Sequence, residues 1–314
     1  MRVGVLTSGG DTAALNAILH GVYTEARINN SEVEGFFDGW EGTVGKTKHS
    51  PFQDVSACTG GTLLRTSRLN LTEENLDESA RNIEKIVDGF ISIGGDDSLS
   101  VAKRLAERLS VPTCFVTKTR DNDVGSNAPV NDFCFSNIKN YFNAGFPSAA
   151  LRIASYASDL RTTTYSHKRI MILEAMGRQS GWLALASCLA EPAPDFIIVP
   201  EFALDYEDFK DKVAKRYKDK GSVLAVVAEG AKYSESGTPI SEDKSTLDEF
   251  SHNKLGGAAY LLAGRLKKDL KIELSQLEDF TKLEKSISDR ALSILDQRTK
   301  FLINKHDTTL SGGT

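Results

Sequence analysis

Residues 94 to 98 read GGDDS and directly follow the apolar run GFISI at 89–93. Two adjacent carboxylates at the end of a buried strand make either a tight solvated turn or the hard oxygen ligands of a metal and phosphate site. The stretch TKTRDND at 117–123 has the same placement. It follows the apolar PTCFV and sets Asp121 and Asp123 beside Lys118 and Arg120. Neighbouring cations hold carboxylates ionised. An ionised carboxylate beside a phosphate can take a proton from a hydroxyl while a phosphoryl group moves. The competing reading is a polar loop whose charges water satisfies.

Four further stretches carry similar chemistry. VLTSGGDT at 5–12 brings glycines to a strand–loop–helix junction, where backbone N–H groups approach an anion. No GK[ST] or GxGxxG follows, and the plain alternative is a βα turn capped by Asp11 or Thr12. GGTLLRTSR at 60–68 offers Arg65 and Arg68 to phosphate, or to solvent. EAMGRQSGW at 174–182 offers Arg178, and VVAEGA offers Glu229 at its strand end. His167 and His252 read as structural, and neither a Ser-His-Asp order nor HExxH occurs.

The elements that must position these residues alternate in type. RVGVLTS, VEGFFDG, GFISIGG, PTCFVTK, KRIMILEA, DFIIVPE and VLAVVAEG are strand-like. Between them DTAALNAILHGVYTEA, SLSVAKRLAERL, PSAALRIASYASDLR, GWLALASCLA, YEDFKDKVAKRYKD and LGGAAYLLAGRLKKDL have helical periodicity. This alternation predicts an α/β fold with parallel sheets and helices on both faces. Ligands of such sheets gather beyond the carboxyl ends of the strands, where all the residues above fall. Residues 124–144 break the rhythm as a long polar and aromatic excursion.

The chain has 314 residues, 40% hydrophobic and 26% charged, with a net charge of −5. That charge invites neither nucleic acid nor an anionic membrane. FIIV and VLAVVA are too short to span a bilayer, and MRVGVLTSGGD lacks the pattern of a signal peptide. Cys58, Cys114, Cys134 and Cys188 are widely spaced, so they read as free thiols of a reducing cytoplasm.

In order, TSGGD, GGT…TSR, GGDDS, KT-DND, SHKR, MGR and VAEG resemble the phosphofructokinase family over about residues 1 to 265. The resemblance implies two doubly wound, Rossmann-like α/β domains with the active site in the cleft between them. The first, at 1–145, would bind the phosphoryl donor and be rejoined by part of 275–305. The second, at 146–270, would bind the sugar phosphate, and 306–314 would form a flexible tail. The activity implied is transfer of a phosphoryl group to the 1-hydroxyl of fructose 6-phosphate.

Carried over by the same resemblance, Asp121 matches the catalytic base, with Thr119 and Asp123 beside it at the transferred phosphate. Asp96 matches a Mg²⁺-linked aspartate, and Gly9 and Arg68 match groups around the donor phosphates. Met176, Gly177, Arg178 and Glu229 match sugar-binding positions. Arg169 matches an arginine that reaches the sugar phosphate of a neighbouring subunit, which implies a homo-oligomer, a dimer or tetramer.

ATP-using members mostly carry glycine where this chain has Asp97 and Lys118, whereas pyrophosphate-using members look like this sequence. A carboxylate at 97 repels the α-phosphate of a nucleotide, and a lysine at 118 attracts a compact anionic leaving group. Pyrophosphate is therefore the expected donor, with a reversible reaction. The alternatives are an ATP-dependent sugar-phosphate kinase and a catalytically degenerate regulatory subunit. Departures from the family pattern are Ala13 and Ala14, Arg65, Arg120, the 124–144 excursion and the absence of QRGG from 272–290.

Overall fold

The computed structural model describes residues 1–67, 69–125, 140–240, 242–247 and 253–270. The expectations placed on Arg68, Cys134, His252, 272–290, 275–305 and 306–314 fall outside the described residues, as does most of the 124–144 excursion.

The amino-terminal elements run β1 (Arg2–Thr7), α1 (Leu15–Ile28), β2 (Glu32–Phe36), α2 (Trp40–Thr43) and β3 (His49–Pro51), followed by α3 (Glu73–Ile86), β4 (Gly89–Gly94), α4 (Asp96–Ala106), β5 (Thr113–Thr119) and β6 (Ala144–Gly145). They form one sheet of order β3-β2-β1-β4-β5-β6. All pairs are parallel except β2 with β3. Because side chains alternate across a strand, Val5 and Ile93 pack with Leu15 and Leu19 of α1 on one face. Leu6 and Phe90 pack with Leu76 and Ile83 of α3 and Leu105 of α4 on the other. The chain runs from β1 out to β2 on one side and returns to β4 on the other. The crevice between β1 and β4 is thus the switch point of the sheet.

The chain continues as α5 (Phe146–Ser166), β7 (Ile170–Ala175), α6 (Trp182–Ala186), β8 (Phe196–Ile198), α7 (Tyr206–Lys220), β9 (Val223–Ala228), β10 (Glu242–Leu247), β11 (Asn253–Leu255) and α8 (Ala258–Leu270). Strands β7, β9 and β8 form a second parallel sheet in that order, while β10 and β11 pair as a separate ribbon. The unbroken apolar run VLAVVA has a physical reason, because both faces of β9 are covered. Val223, Ala225 and Val227 meet α7 and α8 through Phe209, Val213 and Leu262. Val226 and Ala228 meet Phe146, Ala150 and Leu183 of α5 and α6. Each fully buried aliphatic side chain contributes roughly 1.5–3 kcal/mol. Asp195 then ties the two covering layers together, since Arg161 of α5 and Arg216 of α7 both bond its carboxylate. Burial works against the ionised form of Asp195, but Arg161, the Leu224 N–H and Arg216 outweigh it and hold its pKa below the usual range.

Three local differences from the sequence reading have clear causes. Helix α3 is not among the stretches singled out by periodicity, although Leu76, Ala80 and Ile83 make a buried stripe at spacings of four and three. GWLALASCLA is helical only to Ala186 and finishes as a single 3-10 turn, Ser187–Leu189. Neither Asp11 nor Thr12 caps α1, because the helix begins later, with Ala14 at its N-cap and no capping side chain. Cys58, Cys114 and Cys188 are free thiols. Among the described residues, no helix is long and apolar enough to cross a membrane.

Candidate active site

Three loops converge at the switch point, from the carboxyl ends of β1, β4 and β5. Gly9 takes φ +79°, a conformation that favours glycine. Its amide donates to the Ser67 carbonyl at 3.2 Å, and its carbonyl accepts from Thr66 Oγ1 at 2.7 Å. The TSGGD loop is thereby laced to Thr66 and Ser67. A β-carbon on Gly9 would sit 3.7 Å from Lys118 Nζ. Lys118 is only 2% exposed, and its ammonium donates to the Gly10 carbonyl. The lysine therefore lies under the β1 loop as a buried positive charge. Asp96 and Asp97 form the first turn of α4, where the helix dipole favours anionic side chains; Asp96 is exposed and Asp97 half-buried.

Beyond β5 the chain turns through Arg120, Asp121, Asn122 and Asp123, with Asn122 at φ +56°. The Asp121 amide donates to Thr119 Oγ1 at 3.0 Å. Asp121 Oδ1 is buried and accepts no hydrogen bond among the described residues, and Arg120 Nε lies 3.7 Å from it. Burial pushes the Asp121 carboxyl up to about 6. Arg120 opposes that rise, the charges of Asp123 and Glu229 add to it, and Arg178 opposes it. Asp123 is also raised by burial; the Thr119 hydroxyl opposes that rise and the Asp96 charge adds to it. Desolvation outweighs the neighbouring cations, so Asp121 and Asp123 hold a proton to higher pH than free carboxyls do. Asp11 behaves similarly, with both oxygens buried and its pKa raised by burial.

The facing wall comes from β7 and β9. Glu229 is 3% exposed, and its Oε1 accepts from the amides of Gly177 at 3.3 Å and Arg178 at 3.0 Å. This shapes the Met176–Arg178 turn, in which Gly177 has φ +138° and Arg178 φ +52°. Gly230 is required for close approach, because a β-carbon there would stand 1.8 Å from the Arg178 carbonyl oxygen. A direct bond spans the crevice, from Ser180 Oγ to the Asp121 carbonyl.

The structure thus gathers Gly9, Lys118, Asp96, Asp97, Thr119, Asp121 and Asp123 at one set of strand ends, with Met176, Gly177, Arg178 and Glu229 at the other. Arg169 does not join them. It is 8% exposed and precedes β7, so the length of that strand, about 20 Å, separates it from Met176. The Arg65 side chain is 75% exposed, with its guanidinium 4.0 Å from Asp38. The sequence reading missed Ser180 and the asparagines Asn122, Asn140 and Asn143, which hold the Asp121–Asp123 turn. Their pairing across the fold left no local sequence signal.

Two parallel sheets meeting across a crevice of carboxylates and cations define a doubly wound α/β protein with its polar groups at the strand ends. The chain belongs to the phosphofructokinase family, whose model, described as phosphofructokinase, matches residues 2–277. It is 37% identical over 276 residues to the pyrophosphate–fructose 6-phosphate 1-phosphotransferase of Streptomyces coelicolor, covering 85% of this chain and 76% of that protein. It is 35% identical over 280 residues to ATP-dependent 6-phosphofructokinase 3 of the same organism, covering 86% of this chain and 76% of that one. Its fold matches the crystal structure of the pyrophosphate-dependent phosphofructokinase from Marinobacter aquaeolei with a TM-score of 0.66 and 25% identity. That match covers 86% of this chain and 66% of the other, so the chain spans slightly less than two thirds of that solved structure.

Proposed function

We propose that the protein transfers a phosphoryl group from pyrophosphate to the 1-hydroxyl of fructose 6-phosphate, giving fructose 1,6-bisphosphate and orthophosphate reversibly. The observation that carries this reading is the buried Asp121 carboxyl, its pKa near 6, set between the donor loops and the Met176–Arg178 turn. A base poised near the working pH accepts a proton most effectively. Asp121 takes the hydroxyl proton as the sugar oxygen forms its bond to phosphorus. The bridging P–O bond breaks, its electron pair leaves with orthophosphate, and Lys118 balances the charge that builds there. Asp97 at the start of α4 repels the longer phosphate chain of a nucleotide, which favours pyrophosphate over ATP.

Asp96 and Asp123 fit a magnesium ion, because the Asp96 charge acts on the Asp123 carboxyl and both side chains are hard oxygen donors. Mg²⁺ is commonly held by one or two carboxylates with the remaining positions on phosphate and water. When bound, it would supply positive charge to neutralise the phosphoryl donor. Met176, Gly177, Arg178 and Glu229 hold the sugar phosphate. Arg169, at the far end of β7, serves the acceptor site of a second copy in a homo-oligomer, a dimer or tetramer.

Assaying the purified protein with fructose 6-phosphate, Mg²⁺ and either donor, with ³¹P NMR of the products, tests the proposal. Turnover with pyrophosphate well above that with ATP is expected. Preference for ATP overturns the donor assignment, and no turnover with either donor overturns the reading as an enzyme of this reaction.

A further inference from the structure

The long excursion at 124–144 returns to the sheet through residues 140–143, and these bind the turn that carries Asp121. Asn143 is fully buried. Its backbone N–H and its Nδ2 both donate to Asn122 Oδ1, at 2.8 and 3.2 Å. Nδ2 also donates to the Val124 carbonyl at 3.1 Å, while Oδ1 accepts from Asn140 Nδ2 at 3.0 Å. Asn140 reaches back to Thr117 Oγ1 of β5 at 2.8 Å, and Asn122 Nδ2 donates to the Tyr141 carbonyl at 3.0 Å. The Asn143 carbonyl then accepts from the Phe146 amide at the start of α5, at 3.1 Å.

Such a buried amide network is rigid once every member is satisfied, and it specifies one arrangement. Its centre is Asn122, the residue between Asp121 and Asp123, held at φ +56°. The direction of both carboxylates follows from that backbone. We propose that Asn143 is a positioning residue for the base: acting through Asn122, it fixes the turn that aims Asp121 and Asp123 into the crevice. The 140–143 return of the excursion is therefore a built part of the catalytic loop. This rests on the reading of Asp121 as the base. Misplacing a reacting group by about 1 Å can cost on the order of 10²-fold in rate.

Two variants test the inference. Asn143→Ala removes the side chain that ties Asn122 and Val124 to Asn140. Asn122→Gly is the cleaner change, because glycine accepts the positive φ freely and only the side-chain bonds are lost. For Asn122→Gly, kcat with pyrophosphate and fructose 6-phosphate is expected to fall about 10- to 100-fold, with both KM values moving less than about threefold. In the substrate-free protein, amide exchange at residues 120–125 should speed up by about tenfold or more while the amides of β1 and β4 keep their protection. Wild-type kcat in both variants, or exchange at 120–125 unchanged in Asn122→Gly, overturns the inference. Failure of the wild type to turn over sinks only the phosphoryl-transfer reading, because the exchange measurement needs no substrate and still decides whether the clasp orders the turn.

Discussion

Ser180 Oγ donates a 2.8 Å hydrogen bond to the backbone carbonyl of Asp121, so the turn after β7 is tied directly to the loop after β5. Ser180 is also bound into its own turn, its amide donating to the Gly177 carbonyl at 2.8 Å. This hydroxyl therefore helps to fix the spacing between the proposed base and the Met176–Arg178 turn. Ser180→Ala is expected to lower kcat by roughly 10-fold and stability by about 1 kcal/mol, the size of one hydrogen bond. Steady-state kinetics with urea unfolding checks it, and an unchanged kcat rejects the positioning role.

Asp121→Asn is expected to lower kcat by roughly 10²–10⁴, the range for losing a general base. In the wild type kcat should rise with pH through about 6 as Asp121 loses its proton. Stability moves the other way. The folded pKa of about 6 lies above the reference value of 3.8, so the contribution of this group is fully present below 3.8 and lost as pH rises through 6. Asparagine mimics the neutral form. The variant should therefore match the wild type near pH 4 and exceed it at pH 8, by about 1–3 kcal/mol. Urea unfolding at both pH values measures this, and a variant less stable than the wild type at pH 8 contradicts it.

Asp97→Gly is expected to admit ATP at low efficiency without abolishing pyrophosphate use. Lys118→Met keeps the stem that fills the space under the β1 loop but removes the ammonium bound to the Gly10 carbonyl. It should weaken kcat/KM for pyrophosphate by at least about tenfold, the scale of one charge-assisted contact. Measuring kcat/KM for both donors in each variant separates the roles. Equal losses for ATP and pyrophosphate would mean that Lys118 only supports the loop.

The strand ends were legible in the sequence because their chemistry is local. Glycines and acids directly after apolar runs mark loops at the carboxyl edge of a parallel sheet, and GGDDS and TKTRDND both fall there. The raised pKa of these carboxyls was not legible. Adjacent cations in TKTRDND suggested ionised carboxylates, but burial depends on what packs over the turn. The Lys118 ammonium meets the Gly10 carbonyl, from a loop over one hundred positions earlier in the chain. The asparagine clasp was hidden for a similar reason. Asn122 and Asn143 are 21 positions apart, and no helical or strand period connects them.

Arg120 decides the last prediction. As a cation directly before Asp121, it has a bound phosphate, Asp123 and Asp97 as alternative partners. Its Nε instead lies 3.7 Å from Asp121 Oδ1, and its side chain is 34% exposed. Its charge is the largest influence opposing the burial-driven rise of the Asp121 pKa. Removing that cation disfavours the ionised carboxylate, so Arg120→Ala should move the acid limb of the kcat profile to higher pH. Arg120→Lys keeps the charge and should leave the limb close to that of the wild type. If the pairing with Asp121 is the main role, KM for fructose 6-phosphate should change by less than about threefold in both variants. A bidentate arginine–phosphate contact would instead be weakened by both changes, raising KM about 10- to 100-fold, because lysine cannot reproduce the fork. A raised KM in both variants with an unmoved acid limb would reject the charge-tuning role and assign Arg120 to phosphate.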